Sequence, residues 1–547
     1  MPRNRTLFVL VAVLMITALA VSACKPGGEK LGKEINMDLG TEPPTADPNM
    51  AEDTTSVQVD ELLFLGLTDF DDVTMEVVPE LATKWDVSPD GLVWTFHMRK
   101  DVNWVQYDAG TKKFTKKRLV NAHDVEYGVK RTLDPATASP YAYVLFILKN
   151  GQAFNTGKVT DAAEVGCKAL DDWTVQFTLE QPAGYFAGIA GMWMARPTPK
   201  EVIEQHGDKW TEPGNIWTNG PYALAVWEHE SKMVMVKNPH YYDAKNVSIE
   251  QINWSMVTED STRFAMYENG ELDVSGVPAP DLDRVRADPV LSKELYIAPS
   301  LCTYYFGFNT TKKPFDNKLV RQAFSYALDR QKLIDTVLKG GQRPAKTFAC
   351  PGIFGSPAED PNFRGIEFNA ETAKKLLADA GYPGGKGLPE ITLMFNTSQG
   401  HQRIAEFAQQ NWKEVLGVEV KLTNQEWKVY LETVAKDAPQ IFRMGWCADY
   451  PDENNWVLEV FHSTKSDNRI RWKNAEFDKL TEEAAAAADP AKRKELYAKA
   501  EKILCVDEAG IIPVYYYTRV VCTKPYVERT YAPLGGEHIH KWKVKAH

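Results

Sequence analysis

The sequence predicts an α/β protein, and three patterns carry that reading. Residues 391–395 and 418–422 are short apolar runs of β type that flank a helical stretch at 402–416, the order of a sheet with at least partly parallel pairing. Leu92, Trp94, Phe96 and Met98 alternate with Val93, Thr95 and His97, the period of two of a half-buried strand. Val320, Ala323, Phe324 and Ala327 recur at helical spacing. A chain of 547 residues has room for about three to four domains.

In order along the chain, residues 25–33 are rich in Gly and Lys, lack apolar periodicity and read as a flexible tether. Residues 35–39 alternate as a strand, 41–55 form a polar loop with three prolines, and 57–67 a short buried helix. Residues 79–104 make a hairpin unit with its turn at Pro89-Asp90-Gly91, and His97 falls on its solvent side. A helix at 121–132 leads into a loop at 133–140, and 173–179 is another alternating strand. A turn at 217–220 opens a hairpin whose second strand, 232–237, stops at Asn238-Pro239. Asn269-Gly270 closes a helix that starts near 264, and 301–309 is an aromatic-rich strand. Asp329 opens a helix carrying Leu333, Ile334 and Leu338, and 370–380 is a further helix. Asp489 caps a helix with Pro490 at its first position, and residues 511–517 form a buried strand.

Composition bounds the function. The hydrophobic fraction of 44% and charged fraction of 25% are those of a soluble globular protein. A formal charge of −11 without a basic run argues against a nucleic-acid partner. Arg3 and Arg5 followed by an apolar segment at 7–21 form a targeting leader, too short for a comfortable membrane span. Its end, Val21-Ser22-Ala23-Cys24, resembles the lipobox of bacterial lipoproteins, in which Cys24 is acylated and becomes the new N-terminus. Six cysteines remain after Cys24, an even number in an exported chain, so pairing is expected; their arithmetic does not choose the partners.

Residues 440–456 concentrate the unusual chemistry. Arg443, Trp446, Cys447, Asp449 and Trp456 sit in one strand-to-turn segment. The apolar half reads as a strand entering a core. Asp449 comes just before Pro451, where the backbone leaves the strand, so its carboxylate belongs at the mouth of a structure. Burial there calls for a cation, either a ligand amine or an internal Lys or Arg.

Catalytic signatures are missing. The chain has no Walker A loop, dinucleotide fingerprint, HExxH, GxSxG or CxxC. His538-Ile539-His540 offers two imidazoles on one strand face, too few for a strong metal site. No cofactor is implied. An exported, tethered, aromatic-rich α/β chain of this kind reads as a binding module, not an enzyme.

A series of blocks in fixed order carries a family resemblance. They include Pro79-Glu80-Leu81-Ala82 with 94–100, Asp134 to Tyr141, 209–215, Thr218-Asn219-Gly220-Pro221-Tyr222 and Leu301-Cys302-Thr303-Tyr304-Tyr305. Pro314-Phe315-Asp316, 424–428, Gly445-Trp446-Cys447-Ala448-Asp449-Tyr450 and 513–517 complete the set. With these the chain resembles the periplasmic oligopeptide-binding proteins, the peptide cluster of ABC-importer solute receptors (family 5), over nearly the whole mature length. The resemblance implies a two-lobed fold of the periplasmic-binding-protein type (type II), with two hinge strands and an extra subdomain. The expected division is leader 1–23; lipidated tether 24–34; lobe I core 35–65, 198–301 and 518–547; extra subdomain 66–197; lobe II 302–517.

The same resemblance implies a monomeric receptor that engulfs short extended peptides through their main chain and delivers them to permease subunits. Side chains would lie in hydrated pockets, so sequence selectivity would be low. Asp449 matches the family aspartate that pairs with the ligand α-ammonium. Trp427, His401, Arg443, Tyr141, Tyr305, Tyr517 and Glu52 fall on positions resembling cleft residues, with Trp446 and Cys447 beside Asp449. Arg443 would hold the ligand carboxylate or brace Asp449. Cys302 and Cys447 match the family disulfide. Cys505 and Cys522 have a spacing similar to a disulfide in related dipeptide receptors, which would leave Cys167 with Cys350. Two departures are Val434, where the family has an arginine, and Gly307, where it has an acid. The alternatives are another solute on the same fold, such as a cell-wall peptide, a sugar or a metal chelate, or a secreted peptidase or chaperone.

Overall fold

The computed structural model describes residues 33–534 and 536–545. The leader and Cys24 lie outside the described residues. Among these residues no helix is long and apolar enough to cross a membrane.

The chain forms two lobes. In the first, the strand Glu34–Asp38 runs parallel to Gln251–Ser255, which continues antiparallel through Lys232–Lys237 to Tyr222–Glu228. A second four-stranded antiparallel sheet contains the expected hairpin, Ala82–Val87 with Val93–Met98, then Thr174–Thr178 and Cys167–Asp171. Trp94, Phe96 and Met98 are buried, and His97 faces out to Asp86 at 2.8 Å, as strand alternation requires. Both sheets feed one hydrophobic core that runs from Ile35 to Trp542.

The second lobe is built on a seven-stranded mixed sheet. Its parallel part is Ile391–Asn396 beside Val420–Gln425, joined by the helix Gln399–Leu416, the strand–helix–strand unit read from the sequence. Its antiparallel part places Ile441–Cys447 against Leu295–Phe308, which pairs in turn with Ile511–Thr523. The two faces of this sheet carry separate cores, one around Trp456 and Phe348, the other around Trp412 and Phe324.

Leu295–Phe308 and Ile511–Thr523, 14 and 13 residues long, are longer than a single lobe needs. Their ladder runs from Leu295↔Cys522 to Pro299↔Thr518, breaks, and resumes at Thr303↔Tyr516. The break leaves a few backbone bonds unmade between two well-paired halves, which is where a hinge bends at least cost.

Local signals explain the elements and their differences from expectation. Asp53 caps the helix Thr54–Leu63 by accepting the N–H groups of Thr55 and Ser56, so this helix starts inside the stretch read as polar loop. Asp489 caps Pro490–Lys502 as expected. His538 and His540 lie around a single 3₁₀ turn, Ile539–Lys541, and not on a strand.

The cysteine expectations divide. Cys302 and Cys447 are bonded, with their Cα atoms 4.0 Å apart. Cys505 and Cys522 are not paired: Cys505 donates to Glu501 in the Trp456 core, and Cys522 lies in a small cluster with Tyr267 and Leu291. Cys167 and Cys350 are also free, one in each lobe's core. Each of these thiols is buried among apolar side chains, and burial holds it well above the ordinary thiol range.

Candidate ligand-binding site

A cavity of about 350 Å³ lies between the lobes. Lobe I contributes the start of the helix Thr54–Leu63, Tyr141 and the C-terminal segment around Leu534; lobe II contributes residues 443–449 and Trp427. Of the residues singled out from sequence, Glu52, Tyr141, Tyr305, Trp427, Arg443, Trp446, Cys447, Asp449 and Tyr517 line it. His401 does not; its ring packs 5.7 Å from that of Tyr304, behind the wall. Burial, with the nearby Arg443 charge, holds the His401 imidazole well below its usual range.

Asp449 Oδ2 accepts hydrogen bonds from Tyr141 Oη at 3.0 Å and from Asn455 Nδ2 at 2.8 Å. Its backbone N–H donates to Asn455 Oδ1 at 2.9 Å. Among the described residues no Lys, Arg or His pairs with it, so the internal salt bridge allowed by the sequence is absent. Burial pushes its carboxyl up to about 7 against the lowering effect of Asn455 and Tyr141. Behind it, Asn455 Nδ2 also donates to Glu459 at 2.9 Å, and burial pushes that carboxyl up to about 8.

Arg443 is 7% exposed and likewise lacks an opposite charge among the described residues. Its Nη1 donates to Asn396 Oδ1 at 3.1 Å and its Nη2 to Tyr517 Oη at 2.6 Å, its guanidinium lies 4.7 Å from the Tyr304 ring centre, and its Nε has no partner. It does not brace Asp449; Asn455 and Tyr141 do.

Main-chain groups also face the cavity. Ile441–Cys447 is paired on one side with Leu295–Phe308 along its whole length, but on the other side with Ile391–Asn396 only as far as Phe442. Ala448 N–H donates to Leu301 O, so the even-numbered residues bond to Leu295–Phe308. The short Cα separation of Cys302 and Cys447, 4.0 Å, fits a pair that makes no ladder bonds. The N–H and C=O groups of Gly445 and Cys447 therefore point away from the paired side, towards an edge that no strand of the described residues covers. Gly445 has a packing reason: an added Cβ would stand 3.1 Å from Tyr517 Oη and 3.3 Å from Arg443 Nη2. Gly445→Ala is expected to displace Tyr517 from Arg443 and weaken ligand several-fold with little loss of melting temperature; calorimetric titration beside a thermal melt checks it.

Direct bonds join the lobes across the cavity. Besides Tyr141–Asp449, Trp427 Nε1 donates to Asp53 Oδ1 at 3.0 Å, and Arg469 pairs with Glu52 and with Asp467. Tyr141 stacks on Trp446 and Tyr185 on Tyr450, with interplanar angles of 8° and 10°. Tyr450 belongs to the lobe I core although it follows the lobe II strand Ile441–Cys447. Asp53, Asp467 and Arg469 were missed in the sequence. Asp53 had a visible signal as an N-cap; the other two sit in an irregular segment whose path only the fold supplies.

Residues 76–468 match the family model of bacterial extracellular solute-binding proteins, family 5. The chain is 36% identical to the periplasmic oligopeptide-binding protein OppA of Salmonella typhimurium, over 95% of this chain and 94% of that protein. Haemophilus influenzae OppA in complex with the peptide RPPGFSPFR superposes with a TM-score of 0.85 at 31% identity, covering 94% of this chain and 100% of that one. The unliganded open form of the murein tripeptide-binding protein MppA of Escherichia coli, also 31% identical, covers 95% and 99% but reaches only 0.64. The lobes thus stand as in the peptide complex, closed, which agrees with the bonds across the cavity. The chain belongs to the bacterial extracellular solute-binding proteins of family 5, which are binding proteins and not enzymes.

Proposed function

We propose that this protein is a lipid-anchored extracytoplasmic receptor for short peptides, of low sequence selectivity, that delivers them to an ABC importer. The observation that carries the reading is Asp449: a carboxylate on the wall of a closed interlobe cavity with no cation beside it among the described residues. A ligand α-ammonium supplies the missing charge. The free edge at Gly445 and Cys447 lies beside it, and a peptide placed there adds a strand. Main-chain groups are common to all peptides, so such an edge gives affinity without reading side chains. Arg443 then meets the C-terminal carboxylate of a ligand short enough to end near it.

Closure follows from the same contacts. Ligand bridging Asp449 of one lobe and the wall of the other favours the closed form, and the closed form is the shape a permease can distinguish from an empty receptor. Tryptophan fluorescence or calorimetry with a tripeptide-to-pentapeptide library tests the proposal. Saturable binding supports it; folded protein that binds none of the library overturns it. A cell-wall peptide is the second reading, favoured by the likeness to MppA. Mass spectrometry of ligand retained through purification separates the two.

A further inference from the structure

On the lobe I wall of the cavity stand Glu61, Asp69, Asp72 and His538. Glu61 comes from the helix Thr54–Leu63 and Asp69 from the short strand Thr68–Phe70. His538 precedes the 3₁₀ turn Ile539–Lys541, 466 residues after Asp72. One carboxylate oxygen each of Glu61 and Asp69 and one ring nitrogen of His538 all lie within 4.8 Å of one another. The sequence offered only the pair His538 and His540 here; the fold brings two distant carboxylates to one of them.

The imidazole is held in a fixed orientation. His538 is 9% exposed. Its Nδ1 donates to Asp72 Oδ1, and Asp72 also accepts from Thr530 Oγ1 at 2.6 Å and from Lys541 Nζ at 3.0 Å. Lys541 Nζ is 3.0 Å from Nδ1 as well, but a nitrogen that donates to a carboxylate has no lone pair to offer it. The proton of the neutral ring is therefore on Nδ1 and the lone pair on Nε2, the tautomer that a carboxylate behind a metal-binding histidine imposes.

Nε2 lies 3.5 Å from Asp69 Oδ1. A lone pair set against carboxylates is repulsive unless a cation stands between them. A ring proton would draw nitrogen and oxygen to about 2.7–2.9 Å, so 3.5 Å is not the length of a charge-assisted hydrogen bond. It is close to the edge, about 3.4 Å, of a tetrahedron whose corners are about 2.1 Å from a zinc ion. Arg196 binds Glu61 through Oε1 at 2.6 Å, which leaves Oε2 for a metal, and Lys541 stays 3.6 Å from Asp69.

We propose that Glu61, Asp69 and His538 form a binding site for a Zn²⁺-type divalent cation, oriented by Asp72, with its fourth position open to the interlobe cavity. Imidazole nitrogen with two carboxylate oxygens is a donor set that suits zinc, and three protein ligands leave room for one group from the cavity. All three ligands belong to lobe I, so the site is present whether the lobes are open or closed. The inference does not depend on the peptide reading.

The test is calorimetric titration of the full chain, free of any histidine tag, with Zn²⁺ alone and without peptide. The variants are His538→Gln, whose amide still donates to Asp72, Asp69→Asn, Asp72→Asn and, as control, His540→Gln. Thermal melts check that each is folded. Wild type should show a zinc event that is weakened about tenfold or more in His538→Gln and Asp69→Asn and is unchanged in His540→Gln. Loss of the orienting carboxylate in Asp72→Asn should weaken it by about 10–100-fold. No zinc binding by folded wild type overturns the site, as does equal binding by wild type and either ligand variant that folds. Loss in His540→Gln with retention in His538→Gln overturns it too. Each of these outcomes leaves the peptide reading untouched.

Discussion

Asp449→Ala is expected to weaken peptides with a free amino terminus by about 2–5 kcal/mol and to leave N-acetylated peptides nearly unchanged. The reason is the missing partner. Asp449 is held by Asn455 and Tyr141, two neutral donors, and no described protein cation reaches it. The ligand ammonium is therefore the sole counter-charge in the complex, and its removal from either side costs the same pair. Equal weakening of free and acetylated peptides would show that the carboxylate serves only to hold Tyr141 and Asn455.

The pH dependence has a definite sign. In the empty protein burial raises the Asp449 carboxyl to about 7, well above its value in an unfolded chain. The folded state therefore binds this proton more tightly, and the contribution to stability is present in acid and lost as pH rises towards 7. Asp449→Asn should raise the melting temperature of ligand-free protein at pH 7.5 and leave it unchanged near pH 4. Ligand reverses the demand, because its ammonium favours the ionised carboxylate. Affinity for free-amine peptides should fall by up to about tenfold for each pH unit below 7, and this slope should vanish in Asp449→Asn. Titrations at several pH values read both effects.

Breaking the Cys302–Cys447 bond is the second large effect. It closes a sequence separation of 145 residues, for which the chain-entropy account gives about 5 kcal/mol of stabilisation. Cys302 lies at the break between the two halves of the hinge ladder, and Cys447 is two residues from Asp449. The covalent link ties the hinge to the strand that carries the ligand edge. Cys302→Ser with Cys447→Ser is expected to lower the melting temperature by several degrees and to weaken peptides, since the ladder at Gly445 and Cys447 loses its anchor. Reducing agent on the wild type should reproduce the thermal shift. An unchanged melt in the double variant would show that pairing along Leu295–Phe308 suffices without the bond.

Much of the molecule could be read before its structure. Alternation at residues 92–98 and helical spacing at 320–327 place their own side chains, because the burial of a strand or helix face is set by neighbours two to four residues away. The cap at Asp489, with Pro490 after it, is equally local. The family blocks brought Tyr141 together with Trp427, Arg443 and Asp449 although it stands 308 residues before Asp449. The same kind of transfer failed for Cys505 with Cys522, because spacing along a chain does not say that two thiols share a core, and these lie in different ones. It also placed His401 among the cleft residues, whereas its ring packs against Tyr304 outside the cavity lining.

From the sequence alone came the α/β class, the non-catalytic character, the order of the elements and the strand-to-turn segment at 440–456. The fold alone decided which charges are answered. Ion pairs such as Glu52 with Arg469 and Glu61 with Arg196 form across more than a hundred residues, and only after they form does it emerge that Asp449 and Arg443 are left over among the described residues. Local patterning reports which face of an element is buried; it is silent on which opposite charge waits there, because that partner arrives by the packing of segments far apart in the chain.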